Sequence, residues 1–367
     1  MKIQIDKKDL LNLISKTQNI IEKRNSMAVL VNILLDAHDG QLTVLATDLE
    51  ISMTDSVSAK VTMDGKVAVS SKSLCDITKE LSEGPIQLTK KENNWLEIKQ
   101  GKYSSKIIGI SSEEYPTFPT LVHTEFTQIQ IAAFREMIDK TIYSVSNDES
   151  RYHMNGVFFE PKAQNYVMVA TDGHRLSLIT KPLVENSHLP QQGIIIPRKG
   201  LHEIRKLIES GEGTLDLAID GAQLVVKYKS TTLMIRLIEG KYPNYEQFIP
   251  QKLNEKISIN REDFLQSLRR VSLLANHKSK AVTLNISEGK MEISSNNPEM
   301  GDAREEIEID YIGKNLKIGF NAKYIQDVLQ AIDDEKIDLE LNDQLSAGLM
   351  RPHNDQRYKC VVMPMRI

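Results

Sequence analysis

The chain has 367 residues, too many for one hydrophobic core and enough for two or three domains. Its 40% hydrophobic and 26% charged residues exclude disorder, and 5% aromatics argues against a nucleic-acid reader built on stacking. A net charge of −4 excludes a uniformly basic protein, so any affinity for nucleic acid requires positive charge gathered on one face.

The two cysteines, Cys75 and Cys360, have no neighbours at metal-ligand or redox spacing and read as buried, reduced thiols. No cofactor or metal is called for. The start of the chain lacks an apolar run long enough for a signal peptide, and no stretch is long and apolar enough to span a bilayer. The expectation is therefore a cytoplasmic protein without membrane contact.

Taken in order, the elements repeat three times. A short alternating strand runs into an amphipathic helix, with Ile5 followed by Leu10 and Ile14, Ile129 by Phe134 and Ile138, and Ile259 by Phe264 and Leu268. Apolar residues four apart share one helical face. Asp6 and Asn260 stand where helices begin, with acids just behind them. Lys16, Lys140 and Arg270 fall at one equivalent position near the end of this helix.

Alternating strands follow, including residues 32–35, 42–45, 156–159, 166–169 and 282–286. A second helix then carries Leu74, Ile77 and Leu81 in the first repeat, Leu201, Ile204 and Ile208 in the second, and Ile325, Val328 and Ile332 in the third. Lys72, Lys199 and Lys323 open these helices, and Asp76, Glu203 and Asp327 occupy another shared position. Further strands, among them residues 96–98, 224–226, 233–237 and 359–363, close the repeats. Tyr115-Pro116-Thr117-Phe118 and Tyr242-Pro243-Asn244-Tyr245 make matching corners at two boundaries.

One short motif marks the same periodicity. Thr171-Asp172 lies where a strand meets a tight turn, Thr47-Asp48 repeats it 124 positions upstream (172 − 48), and Ser295-Asn296 reads as a blurred third copy. Units of about 125 residues exceed solenoid repeats of roughly 20–50 residues, so they are domains. We place them at residues 1–125, 126–254 and 255–367. Each reads as α+β, an antiparallel sheet layer with two helices on one face.

A single lysine on a helix is ordinarily a solvated one. Three bases at one repeat position, and three at another, point instead to a common surface for a phosphate backbone bound without reading sequence. Asp172, His174 and Ser177 hint at a hydrolase triad, but three residues within one turn do not place a base between nucleophile and acid. Nucleophile-elbow and phosphate-loop motifs are absent from the sequence. The alternative function is a non-enzymatic interaction scaffold with a basic face.

Over its whole length the chain resembles the bacterial sliding clamps, the beta subunits of the replicative DNA polymerase III. The residues carrying the resemblance are Thr47 to Glu50, Asn155-Gly156, Ala170 to Leu176, Pro197 to Gly200, Gly240 with Pro243 and Tyr245, Asn296 to Glu299, and Val361 to Arg366. The resemblance implies three similar domains of the DNA clamp fold. It further implies a ring-shaped head-to-tail homodimer whose inner helices line a channel for duplex DNA. Such a ring is a non-catalytic processivity factor. It is opened by a clamp-loader ATPase and tethers the replicative polymerase alpha subunit and other clamp-binding proteins.

Carried over residue by residue, the resemblance assigns DNA contact to Arg24, Lys16, Lys72, Lys140, Arg151, Tyr152, His153, Lys199, Lys206, Arg270 and Lys323. A partner-peptide pocket is implied at Met154, Thr171, Gly173, His174, Arg175, Leu176, Pro243, Phe248, Asn321, Tyr324, Val361, Met363, Pro364, Met365 and Arg366. Methionine, flexible and polarizable, suits a pocket that accepts several peptides. The ring seam is implied at Ser105, Ile107, Leu273 and Leu274. His153 stands where the family often has an aromatic residue, and Ser105 where a bulky apolar one is sometimes found.

Overall fold

The computed structural model describes residues 1–21, 27–118, 121, 124–182, 189–190 and 192–366. Among them are six α-helices, α1 (Lys7–Thr17), α2 (Ser71–Glu80), α3 (Ile131–Asp139), α4 (Arg198–Leu207), α5 (Arg261–Val271) and α6 (Ala322–Ala331). The remaining regular structure is almost entirely antiparallel strand. The chain forms two compact units, one built mainly from residues 1–131 and 199–237, the other from 132–185, 189–198 and 238–367.

In the first unit a nine-stranded sheet runs in the order Gly109–Ile110, Gly65–Ser70, Asn32–His38, Gln41–Thr47, Ile51–Ser58, Thr231–Arg236, Gln223–Tyr228, Thr214–Asp220 and Thr127–Gln130. A five-stranded sheet runs Lys60–Met63, Lys2–Asp6, Pro85–Lys90, Leu96–Gln100 and Tyr103–Ile107. The seam between repeats lies inside the larger sheet, where Ile51 pairs with Ile235 and Met53 with Leu233.

The second unit repeats the plan. An eight-stranded sheet runs Ile194–Pro197, Gly156–Lys162, Asn165–Thr171, Arg175–Pro182, Tyr358–Val362, Gly348–Pro352, Lys336–Leu341 and Glu255–Asn260. Here Arg175 pairs with Val362 and Leu176 with Val361, again joining one repeat to the next. A four-stranded sheet runs Gly301–Glu308, Lys290–Asn297, Ala281–Ser287 and Leu316–Asn321. The three sequence repeats are thus stitched by shared sheets, and the central repeat contributes strands to both units.

The helices bury the faces that periodicity assigned to the core. Leu10, Ile14, Phe134, Ile138, Phe264 and Leu268 are fully enclosed, as are Leu74, Leu201, Ile204, Ile325 and Val328. Ile77 is the exception. It is half-buried, while its neighbour Thr78 turns inward and donates to the Leu74 carbonyl. Asn260 caps α5 by accepting the backbone N–H groups of Glu262 and Asp263, and Asn321 caps α6 through Lys323 N–H. Asp6 occupies the corresponding place before α1 without a side-chain cap bond. Cys75 and Cys360 are free and buried.

Gly156 sits where Gly156–Lys162 pairs with Ile194–Pro197, and a Cβ on it would lie 2.5 Å from the Ile196 carbonyl oxygen. Because the obstruction is backbone, the strands must part to admit a methyl group. Gly156→Ala should therefore cost about 1–3 kcal/mol, read as a lower midpoint in thermal unfolding followed by circular dichroism. An unchanged midpoint would show that the pairing tolerates a side chain there.

Candidate functional site: a turn, a cleft and paired bases

The turn after Asn165–Thr171 is built by its own side chains. The Thr171 hydroxyl donates to the Arg175 carbonyl (2.6 Å) and accepts from Gly173 N–H, while Asp172 Oδ1 accepts from His174 N–H (2.9 Å) and Arg175 N–H (3.0 Å). Short polar side chains hold turns in this way because they reach backbone groups two or three residues on. Gly173 has φ 86°, and a Cβ on it would press against the Arg151 guanidinium at 2.6 Å.

The same turn recurs in the first unit. Thr47 bonds the Ile51 carbonyl and Leu49 N–H, Asp48 Oδ1 accepts from Glu50 and Ile51, and Leu49 takes the positive φ, 76°. Both turns are docked by a corner tyrosine. Tyr115 donates to the Asn32 and Leu45 carbonyls, and Tyr242 accepts the Thr171 N–H at 3.1 Å. Burial pushes both phenols well above their ordinary range. The third copy differs from expectation. The residue that accepts there is Asn297, which takes Glu299 N–H, so the motif slips by one residue from Asn296.

Arg175 ties the second turn down. Its Nε donates to Asp172 (3.0 Å), one terminal nitrogen to Asp327 (2.6 Å) and the other to the Tyr143 carbonyl (2.6 Å), and its guanidinium lies 4.6 Å from the Tyr324 ring centroid. Burial disfavours the charge, but Asp327 and Asp172 outweigh it and raise the guanidinium pKa. The Ser177 hydroxyl points into a buried cluster with Tyr143 and Ser144, and His174 stacks near Tyr324, so these two do not assemble a triad.

Beside this turn opens a cleft of about 390 Å³, lined by Arg151, His153, Met154, Thr171, Gly173, Arg175, Leu176, Pro243, Phe248, Val361 and Met363. Its floor rests on a core cluster that includes Val169, Leu176, Tyr242 and Val361. Phe248 and Met363 are exposed at its mouth. The lining is apolar with a few cations, the composition of a site that takes an apolar ligand and orients it by polar groups.

The helix bases assigned to DNA are mostly paired. Lys16 meets Asp55 (2.6 Å), Lys140 meets Glu136 (2.7 Å), Arg270 grips Glu305 with two nitrogens, Lys206 meets Glu203 (2.9 Å) and Lys323 meets Asp327 (2.6 Å). Lys199 reaches Asp48, and Lys72 is exposed without a side-chain partner among the described residues. Lys140 is the most enclosed, with its ammonium 5.2 Å from the Tyr358 ring centroid. Arg24 lies outside the described residues.

Comparison with known proteins then decides the family. The models for the N-terminal, central and C-terminal domains of the DNA polymerase III beta subunit match residues 1–119, 128–244 and 246–366. The chain belongs to the bacterial sliding-clamp family.

Its relatives include the beta sliding clamps of Rickettsia bellii, 30% identical, and Escherichia coli, 28% identical, each covered over 100% of both chains. Among solved structures, the Caulobacter crescentus clamp with polyethylene glycol bound to its putative beta-motif tethering region superposes with a TM-score of 0.95 at 30% identity. The Bartonella birtlesii clamp bound to griselimycin also gives 0.95, at 28% identity. Both matches cover 100% of each chain.

In this clamp, nine of the residues assigned to the partner pocket line the cleft, whereas Asn321 serves as a helix cap and Met365 bonds back to Gly319. The Tyr324 ring lies against the Arg175 guanidinium, and Tyr324, Pro364 and Arg366 are not among the lining residues. Arg151 and His153, which the resemblance assigns to DNA contact, also line the cleft, and Tyr152 is exposed. At the assigned seam, Leu273 is 72% exposed, Leu274 and Ile107 are half-buried, and the Ser105 hydroxyl is enclosed without a hydrogen-bond partner among the described residues. Among the described residues no helix is long and apolar enough to cross a membrane, and no metal-ligand group is found. Tyr143, which also fixes Arg175, escaped the sequence reading, and Asp327 was legible only as a repeat position, because the partner of each lies far away in sequence.

Glu136 provides a pH test of this site. Burial would raise its carboxyl pKa, but Lys140 and Lys181 more than offset it, so the folded pKa lies below the ordinary value. Its contribution is therefore complete above the unfolded pKa and is lost as pH falls through the depressed folded value. Urea unfolding between pH 7 and pH 3 should show a smaller acid loss for Glu136→Gln than for the parent protein, and parallel curves would remove Glu136 from the account.

Proposed function

We propose that the protein is a non-catalytic processivity clamp, a head-to-tail homodimer of three-domain chains that closes into a ring around duplex DNA without sequence preference. The observation that carries this reading is an unfinished pattern of strand pairing. Within the chain, Ile51–Ser58 pairs with Thr231–Arg236 and Arg175–Pro182 pairs with Tyr358–Val362, each joining one repeat to the next. The strands that would make the third such junction are Gly301–Glu308 and Tyr103–Ile107, and both are sheet edges. A second copy supplies each edge with its partner. Their charges suit one another, since Lys102 and Lys106 lie on or beside one strand and Asp302, Glu306 and Glu308 on the other.

The proposed DNA surface consists of the helix bases, with Lys72 and Arg270 on separate repeats among them. Bases already paired to their own carboxylates exchange one anion for another when a phosphate arrives. The contact is then weak, delocalised and salt-screened, as sliding requires. Retention comes from topology. Opening would fall to a separate loader ATPase, synthesis to the replicative polymerase, and tethering of its alpha subunit and of other cytoplasmic clamp-binding proteins to the 390 Å³ cleft. We take that cleft to be the site for griselimycin, the ligand of the Bartonella birtlesii clamp.

Loaded onto nicked circular DNA, the protein should be retained through gel filtration and released when the circle is cut once. Equal retention on both would point to an interaction scaffold with a basic face. Leu273→Ala should shift native mass from twice 41.6 kDa toward 41.6 kDa, and an unchanged dimer would move the seam elsewhere.

A further inference from the structure

The two Thr-Asp turns are wired to the following repeat in different ways. In the first unit Asp48 meets Lys199 directly. In the second, the lysine at the same repeat position is Lys323, and two residues stand between it and the turn. Asp172 holds Arg175, Arg175 holds Asp327 Oδ2 (2.6 Å), and Asp327 Oδ1 holds Lys323 (2.6 Å). The inserted cation takes the place of Ile51 in the first turn. The inserted acid is the side chain that two cations share.

Resting on the reading of the cleft as the partner site and Lys323 as a phosphate contact, we propose that Asp327 is a positioning residue that couples the two sites. Arg175 lines the cleft, and its Asp327 and Asp172 partners are both largely buried. Lys323 is half exposed and is the member of the chain that leaves at least cost. When a phosphate draws Lys323 away, the whole charge of Asp327 acts on Arg175 and fixes the cleft wall. When an apolar ligand fills the cleft and excludes water, the Arg175–Asp327 attraction strengthens and Lys323 is freed for phosphate. The coupling is positive, and by linkage it has the same size in both directions.

Griselimycin binding measured by calorimetry on the full-length protein tests the coupling. Lys323→Ala imitates the withdrawn lysine and should tighten binding by about fivefold. Lys323→Arg should restore the parent affinity. In the Asp327→Asn background the effect of Lys323→Ala should vanish, which a purely structural role for Asp327 does not require. Met363→Asp, at the exposed mouth of the cleft, should weaken griselimycin whatever the state of Lys323. If Met363→Asp weakens binding but Lys323→Ala leaves it unchanged, the coupling is wrong and the cleft stands. If griselimycin fails to bind, or ignores Met363→Asp, the cleft assignment falls and the coupling falls with it.

Discussion

Antiparallel backbone pairing between one repeat and the next is the constraint on which the rest of this structure depends. A four-stranded layer of a single repeat leaves an edge of unsatisfied N–H and C=O groups, and such an edge must be paired, covered or blunted. The chain pairs it twice, through Ile51–Ser58 with Thr231–Arg236 and through Arg175–Pro182 with Tyr358–Val362. Both junctions are made of alternating apolar residues, so the register that satisfies the backbone also turns Met53, Leu176 and Val361 into the core. Compactness therefore follows the sheets and cuts across the repeats.

The cleft beside the second turn is a by-product of one of these junctions. Because Arg175–Pro182 must pair with Tyr358–Val362, the turn before the first strand and the chain end after the second meet, and Met363 N–H bonds the His174 carbonyl at 2.9 Å. The Thr-Asp turn presents Gly173 without a side chain, and Tyr242 pins the strand behind it. The corresponding first-unit turn has the same hydrogen bonds but carries exposed Leu49 where Gly173 stands. One local design therefore serves as a plain structural turn in one repeat and as a wall of the cleft in another.

Charge is managed on the same local scale. The aligned bases do not stand as a bare positive array. Lys16, Lys140, Arg270 and Lys323 each keep a carboxylate from their own unit within a direct contact. Lys140 is enclosed, whereas the open pair of Arg270 with Glu305 adds little to stability because solvent screens it. Neutralising each base beside its own carboxylate is in keeping with a net charge of −4.

The repeat, the helices and their buried faces were legible in the sequence because each is set by local spacing. A residue four positions on shares a helical face whatever surrounds it, and Leu10, Phe134 and Phe264 are enclosed as their spacing required. The Thr-Asp turn was legible for the same reason, since its bonds reach only two to four residues. Tertiary structure alone decided which partner each long side chain takes. Arg175 reaches Asp327 across 152 positions and Lys199 reaches Asp48 across 151. It also decided that Asn321 caps a helix and that Arg151 faces the cleft. Such contacts are fixed by which strands pair across the repeats, and strand pairing is a long-range choice that no local window of the sequence contains.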